Sequence, residues 1–476
     1  MATVPMTGVR RSTVIILVEI AALVLAGVFV LVQLRPSPKA PVTTTGSQTT
    51  ATAPSLSPPW TTAQLHQLLD AVKAAEAEGL RASDYQLEAL QQAADQDQSG
   101  PAVDKLADDV ARSLAHDYAA GRIRNRHRFN WYLDYAGPDA AALGTEATAA
   151  RQSGNLDAWL MGLLPKNRQY LALRDALATT PKDDWQRRDR IKANLERWRW
   201  LPRDFGQGDQ LYVNLPTYQL DLVRDGNTVA SYKAVIGATD MPTPVLSAIV
   251  RQVIVNPDWI VPQSIVRKSH LRPGSSSRYE FSTRPDGSLR VRQKPGAGNA
   301  LGKVKIEFPN KLAIYFHDTP SRSLFGADVR AFSHGCVRVQ HIDALAASIV
   351  GNDDRLATAL AGSKTRSFRT ERPLRANIVY LTLVAAADGG ITDVGDPYKM
   401  DAALALALDP RSEARAAVPD PVPASAPTPI SKRTPAPAPA AKRNMTETGA
   451  AEPGEDPADT ASVTPPAELP ANANQD

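Results

Sequence analysis

Cysteine occurs once in these 476 residues, at Cys336. It sits in the run Ser333-His334-Gly335-Cys336-Val337-Arg338, nineteen positions after His317. A free thiol with a pKa of about 8.5 attacks acyl carbon poorly unless an imidazole holds or removes its proton. Of the seven histidines in the chain, His317, His334 and His341 cluster around this thiol. The pattern points to acyl transfer in which His317 takes the thiol proton and later returns it to a leaving amine. Gly335 lets the backbone approach a substrate closely, and the N–H groups at Gly335 and Cys336 are candidate donors to a tetrahedral oxyanion. His334 stands two positions before the thiol, and its assigned role is orientation or substrate contact. The same residue types suit other ends: a lone cysteine packs as a small hydrophobe, and two histidines with a thiol bind zinc if Asp318 or His341 adds a fourth ligand. No metal and no cofactor is expected. His66, His116, His127 and His270 carry no motif and read as surface or satisfied residues.

These groups need strands and a loop to hold them. Near Gln210 the apolar period becomes two, with Leu211, Val213 and Leu215, then Tyr218, Leu220 and Leu222, and a turn at Asp225-Gly226-Asn227. Further strands are expected over residues 249–255, 304–308 and 312–316, so that His317 ends the last. Residues 318–332, rich in Pro, Ser, Arg and Gly, form an excursion that brings His317 over Cys336. A short helix follows on Ile342, Leu345, Ala346 and Ile349, with His341 at its start and Gly351 as its stop. The expectation is a mainly antiparallel β catalytic domain at residues 208–390, extended by 391–410. Ahead of it, Leu65, Leu68, Leu69 and Val72 after a Thr61-Thr62 cap, and Val103, Leu106, Val110, Leu114 and Tyr118, repeat at helical spacing. A helical domain is therefore expected at residues 60–200. Its basic, Trp-bearing end, Asn194 to Trp200, reads as a helix packed on the next domain, with stacking on sugars the less favoured use.

Composition bounds the rest. The 54 basic and 50 acidic residues leave a formal charge of +4, too balanced to argue for nucleic acid. Residues 13–34 are a nearly unbroken apolar run, long enough at 1.5 Å per residue to cross a ~30 Å hydrocarbon layer. Arg10 and Arg11 precede it, so residues 1–12 are expected in the cytoplasm and the body of the chain outside it, anchored in the inner membrane. Residues 35–59 read as a flexible linker and residues 411–476 as a disordered Pro/Ala-rich tail. The fold class is α+β multidomain, with one N-terminal transmembrane helix.

The blocks Tyr315-Phe316-His317-Asp318-Thr319-Pro320 and Ser333-His334-Gly335-Cys336-Val337-Arg338 resemble the active-site signature of the L,D-transpeptidases, the cysteine enzymes of peptidoglycan cross-linking. Val213-Asn214-Leu215-Pro216, Met241-Pro242-Thr243-Pro244, Val255-Asn256-Pro257-Asp258-Trp259 and Gly298-Asn299-Ala300-Leu301-Gly302 resemble the large, membrane-linked Gram-negative branch, over roughly residues 195–408. Residues 60–200 are similar to its scaffold domain, and 263–298 to its lid, a basic segment that alternatively reads as a long solvated hairpin. The resemblance implies Cys336 as nucleophile and His317 as proton acceptor and donor. The substrates would be peptidoglycan stem tetrapeptides, attacked between diaminopimelate and D-Ala in the periplasm, with a neighbouring stem amine completing a 3-3 cross-link. Water as acceptor would make an L,D-carboxypeptidase, and a protein lysine a lipoprotein ligase. A non-catalytic wall-binding scaffold protein is the alternative from another class. Ser333, Tyr315 and Trp259 are candidate substrate contacts. Arg338 stands where many relatives carry Asn, and either binds a substrate carboxylate or is structural. Carbapenems are expected to acylate Cys336, and wall-synthesis proteins are expected partners. No room exists between residues 180 and 208 for a separate peptidoglycan-binding module.

Overall fold

A computed structural model describes residues 58–412 apart from Ala136 and Asn352. The expected span at 13–34 and nearly all of the linker and tail lie outside the described residues. Among the described residues no helix is long and apolar enough to cross a membrane.

The first half is helical. Thr61 caps the Thr62–Ala74 helix in a capping box with Gln64, and Leu65, Leu68, Leu69 and Val72 are its buried face. Gly100 and Pro101 open the Pro101–Ala120 helix, which buries Val103, Val110, Leu114 and Tyr118 as the spacing requires. The linker's end is already fixed: the Trp60 N–H groups donate to Asp104 and Asp108, and the Arg151 guanidinium lies 4.4 Å from the Trp60 ring centroid.

The Trp185–Arg199 helix carries the segment from Asn194 to Trp200, and it is buried. Arg199 and Glu196 pair at 2.8 Å with both side chains fully enclosed. The second Glu196 oxygen accepts from Trp200 Nε1 at 2.9 Å and from the Ile123 N–H at 2.8 Å. Arg199 also donates to the Glu78 carbonyl and to the Tyr170 hydroxyl. Stacking of these tryptophans on sugars is thereby excluded. Glu196→Ala would leave a buried guanidinium without its counter-charge and orphan two N–H donors, so we expect a loss of about 3–5 kcal/mol of stability. Urea unfolding checks this, and a loss below about 1 kcal/mol would contradict it.

In the second half eleven strands join in one sheet. The strand order is Arg366–Phe368, Gln252–Val255, Val304–Glu307, Phe316–His317, Val337–Val339, Asn227–Gly237, Gln219–Arg224, Gln210–Asn214, Arg375–Val379 and Leu246–Ile249, with Ala331–Ser333 added beside Asn227–Gly237. Most pairs are antiparallel, but three are parallel: Gln210–Asn214 with Arg375–Val379, Ala331–Ser333 with Asn227–Gly237, and Phe316–His317 with Val337–Val339. The last is the one that matters for the site, and it exists because residues 318–336 cross back over before the chain resumes the sheet. Two strand expectations change. Residues 249–255 divide into two strands around Val250 and Arg251. Residues 312–315 are not strand, because Ala313 adopts φ +54° in a turn held by the Asn310 side chain.

Residues 259–293 form more than a solvated hairpin. Trp259–Ile260, Leu289–Gln293 and Tyr279–Thr283 make a three-stranded sheet, and with the Gln263–Lys268 helix they enclose Val261, Val266 and Val291. The Met400–Leu408 helix returns to the helical half, where Asp401 pairs with Arg190 and Arg197. Arg411 and Ser412, assigned above to the tail, are ordered: Ser412 Oγ donates to Asp189 at 2.8 Å. Apolar residues from Trp60 to Leu408 form one continuous core across both halves.

Candidate active site

Register brings the motif residues together. Phe316 lies opposite Ile306 and Val337, and His317 opposite Lys305 and Arg338. Because side chains alternate, Ile306, Phe316 and Val337 share one face, which is fully buried in the core with Ile342, Leu345 and Ile349 of the following helix. The opposite face carries Lys305, His317 and Arg338 in one row, with Tyr315 and Cys336 in the next. Cys336 and His317 are thus diagonal neighbours on one face. The bond from the Val337 N–H to the Tyr315 carbonyl extends the ladder to the thiol.

Each group has a defined partner. His317 is buried, and its Nδ1 lies 2.5 Å from the Asp318 carbonyl. Only a protonated Nδ1 can bond a carbonyl, so the neutral ring carries its lone pair on Nε2. A backbone carbonyl, not the Asp318 carboxylate, orients this ring. That carboxylate accepts instead from the Lys303 N–H at 2.9 Å and from Arg322 at 3.0 Å. Gly302, at φ +60°, clears space for it, since a Cβ there would lie 2.4 Å from the Asp318 carboxyl carbon. Burial first, then the Arg338 and Lys305 charges, hold the His317 pKa down at about 3. Burial also pushes the Cys336 thiol up, against the pull of Tyr315, Lys305 and Arg338. The resting pair is a thiol and a neutral imidazole. Cys336 Sγ donates to the Ala313 carbonyl at 3.8 Å, so the left-handed turn supplies the thiol's acceptor.

The Ser333 side chain braces the loop: its hydroxyl bonds the Cys336 carbonyl and accepts from the Gly335 N–H at 3.2 Å. This corrects one expectation. The Gly335 N–H is already committed, whereas among the described residues the Cys336 N–H has no hydrogen-bond acceptor. Gly335 at φ +105° lets the chain turn from Ser333 into the thiol-bearing strand. His334 is exposed; burial first, then the Lys268 and Arg338 charges, lower its pKa, and the Asp240 charge opposes them. His341 caps the next helix from a left-handed position. Burial and then the Cys336 thiol push the Tyr315 hydroxyl pKa up while Trp259 pulls it down, and Lys305 Nζ stands 4.5 Å from its ring centroid. The segment at residues 259–293 therefore acts on the site through Trp259 and Lys268. Arg338 is half-buried, forms no ion pair among the described residues, and has an Nε without a hydrogen-bond partner.

Three contributors have no role assigned from the sequence, although Thr243 lies within the Met241-Pro242-Thr243-Pro244 block. Asn310 builds the Ala313 turn. Thr243 Oγ1 accepts from the Gly237 N–H at 2.8 Å, and Gly237 neighbours Ser333 in the sheet. Tyr398, from the C-terminal extension, donates to the Gly237 carbonyl and accepts from the Thr243 N–H, closing that turn behind the motif. The turn-forming Pro309-Asn310 pair is the signal for the first, and Tyr398 has none.

Residues 208–359 match the L,D-transpeptidase catalytic domain and residues 54–177 a scaffold domain. Over residues 208–359 the chain is similar to L,D-transpeptidase catalytic domains. A Haemophilus influenzae protein provisionally named an L,D-transpeptidase is 33% identical over 248 residues, 46% of this chain and 49% of that one. The chain thus spans about half the length of this curated relative. Among solved structures, L,D-transpeptidase 3 from Mycobacterium tuberculosis matches at 14% identity over 36% of this chain and 61% of that one, with a TM-score of 0.21. An L,D-transpeptidase from Stackebrandtia nassauensis matches at 10% identity over 56% and 89%, with a TM-score of 0.19. Likeness at that level identifies neither substrate nor mechanism. The matched segment at residues 208–359 holds Lys305, Tyr315, His317, Ser333, Cys336 and Arg338.

Proposed function

We propose that this chain is a peptidoglycan L,D-transpeptidase that forms 3-3 cross-links, with Cys336 as nucleophile. The observation that carries the reading is the tautomer of His317: with Nδ1 tied to a carbonyl, a buried neutral Nε2 is left as a base on the same sheet face as the thiol. As Sγ bonds to the diaminopimelate carbonyl carbon, the thiol proton passes to Nε2. The oxyanion is met by the Cys336 N–H. On collapse the C–N bond breaks and the imidazolium gives its proton to the leaving D-Ala amine. A neighbouring stem amine then attacks the thioester, its proton goes to Nε2, and Cys336 leaves with it as a thiol. Arg338, unpaired and flanking His317, suits a substrate carboxylate, and Trp259 with Tyr315 would line the donor path beneath the lid.

Incubating the full chain with tetrapeptide muropeptides tests the reading. Release of D-Ala with 3-3 dimers supports it; release with only tripeptide monomers makes the chain an L,D-carboxypeptidase; transfer to a protein lysine makes it a ligase. No D-Ala release would leave a wall-binding scaffold protein. The apolar run at residues 13–34 and Arg10-Arg11 support an inner-membrane anchor with the catalytic domain in the periplasm. Recovery of the expressed chain in the soluble fraction would overturn that part.

A further inference from the structure

One basic, aromatic loop is unused by the chemistry above. Residues 121–135 join the Pro101–Ala120 and Ala140–Gln152 helices and include Arg122, Arg124, Arg126, His127, Arg128 and Tyr132. Tyr132 is 39% exposed, which is unusual for so large a ring. The exposed His127 ring stacks on it, with centroids 4.8 Å apart and planes 21° from parallel. Together they make a flat, preorganised platform. Arg128 stands beside it, exposed, its guanidinium 5.2 Å from the Phe129 ring centroid, and it forms no ion pair among the described residues.

Next to the platform is a cavity of about 240 Å³ lined by Arg124, Asn125, Arg126, His127, Trp131 and Asp134 among others. Trp131 is almost wholly buried, yet its indole N–H has no hydrogen-bond partner, and neither has Arg126 Nε. Two lining residues thus keep unsatisfied N–H donors, a state buried polar groups seldom hold. The cavity is smaller than the roughly 300–1,000 Å³ of drug-sized pockets, so it suits one ring substituent and not a stem peptide.

The loop is also wired to the motif. The Tyr132 N–H donates to the Val245 carbonyl at 2.7 Å, and the Val245 N–H donates to the Asn130 carbonyl at 2.9 Å. Asn130 Nδ2 donates to the Thr243 carbonyl at 2.9 Å, Thr243 accepts from the Gly237 N–H, and the Ala238 N–H donates to the Ser333 carbonyl at 2.8 Å. Two bonded segments separate the platform from Ser333.

We propose that this loop is a second binding site, for the glycan backbone of the wall polymer, holding a strand of N-acetylated amino sugars while the thiol site works on a stem peptide. The identity of the polymer rests on the transpeptidase reading; the site itself does not. Stacked aromatic faces suit the apolar face of a pyranose ring, and the exposed Arg128 guanidinium beside them suits its acetamido and hydroxyl oxygens.

The test uses the full chain carrying Cys336→Ala, so that no turnover interferes, titrated calorimetrically with glycan strands stripped of their stem peptides. Binding is expected, and adding His127→Ala with Tyr132→Ala should weaken it at least about tenfold, while Arg128→Glu should weaken it less. Both platform residues are exposed, so an unchanged melting temperature verifies folding. With Cys336 restored, Tyr132→Ala should raise KM for polymeric strands and leave kcat unchanged. Absence of glycan binding, equal binding by the double variant, or binding of free stem tetrapeptide alone at this loop overturns the proposal. Because the calorimetric arm needs no catalysis, failure of the transpeptidase reading would leave its result interpretable.

Discussion

Cys336→Ala abolishes release of D-Ala from tetrapeptide donors: we expect kcat/KM to fall by at least about 10⁴-fold, into the background of the assay. The mechanism asks the thiol to form the only covalent bond between protein and substrate, and no other cysteine exists to substitute. Intact mass provides a second readout. The wild-type chain should gain one donor acyl group, or the mass of a carbapenem, on a single site, and the alanine variant should gain neither. Half-buried Cys336 packs on the core edge, so the variant loses little stability, and a melting temperature within a few degrees of wild type verifies that activity fell for chemical reasons. D-Ala release by the alanine variant at even a tenth of the wild-type rate would remove Cys336 from the reaction.

Much of this site was legible because its reactive groups sit close together along the chain. Residue types and the His317 to Cys336 spacing were enough to name a thiol and its base. What spacing could not supply was register. The crossover at residues 318–336 makes the two short strands parallel, which places Arg338, not Cys336, directly opposite His317. Alternating apolar residues suggested a strand through Leu312 and Ile314, but Asn310 satisfies the backbone there in another way, and the freed Ala313 carbonyl meets the thiol. Gly335 looked like an oxyanion donor because glycine amides are accessible; that Ser333 would accept from it depends on a three-residue turn no periodicity encodes. Tyr398 was invisible for a simpler reason: it arrives from the far end of the domain. In the helical half the stripes of leucine and valine named the core correctly. The charged end of the Trp185–Arg199 helix reads as packed on the next domain, and mutual pairing of Glu196 and Arg199 is what permits that burial of charge.

His317→Gln should lower kcat/KM at neutral pH by about 10²- to 10⁴-fold, the usual contribution of a positioned base, and it should change the pH profile in a way mere loss of packing would not. In the wild type His317 stays neutral down to about pH 3, so Nε2 remains able to accept a proton throughout the neutral range. The profile of kcat/KM should therefore run level from about pH 8 down to about pH 5, with no acid limb near the ordinary histidine value of 6.5. Without the imidazole only pre-formed thiolate can attack. Burial holds the thiol above its usual pKa, so the variant's rate should climb about tenfold per pH unit through pH 9. Stability carries the same signature. The folded-state pKa of His317 is depressed, so between about pH 6.5 and 3 the unfolded chain binds the extra proton, and stability falls as pH falls through that window. The slope from this one group is at most about 1.4 kcal/mol per pH unit, and glutamine, which does not titrate, should remove it. Urea midpoints at pH 7 and pH 4.5 for both chains measure the difference. A wild-type acid limb centred near 6.5, together with equal acid slopes in the two proteins, would show that the imidazole is not the buried neutral base on which the mechanism depends.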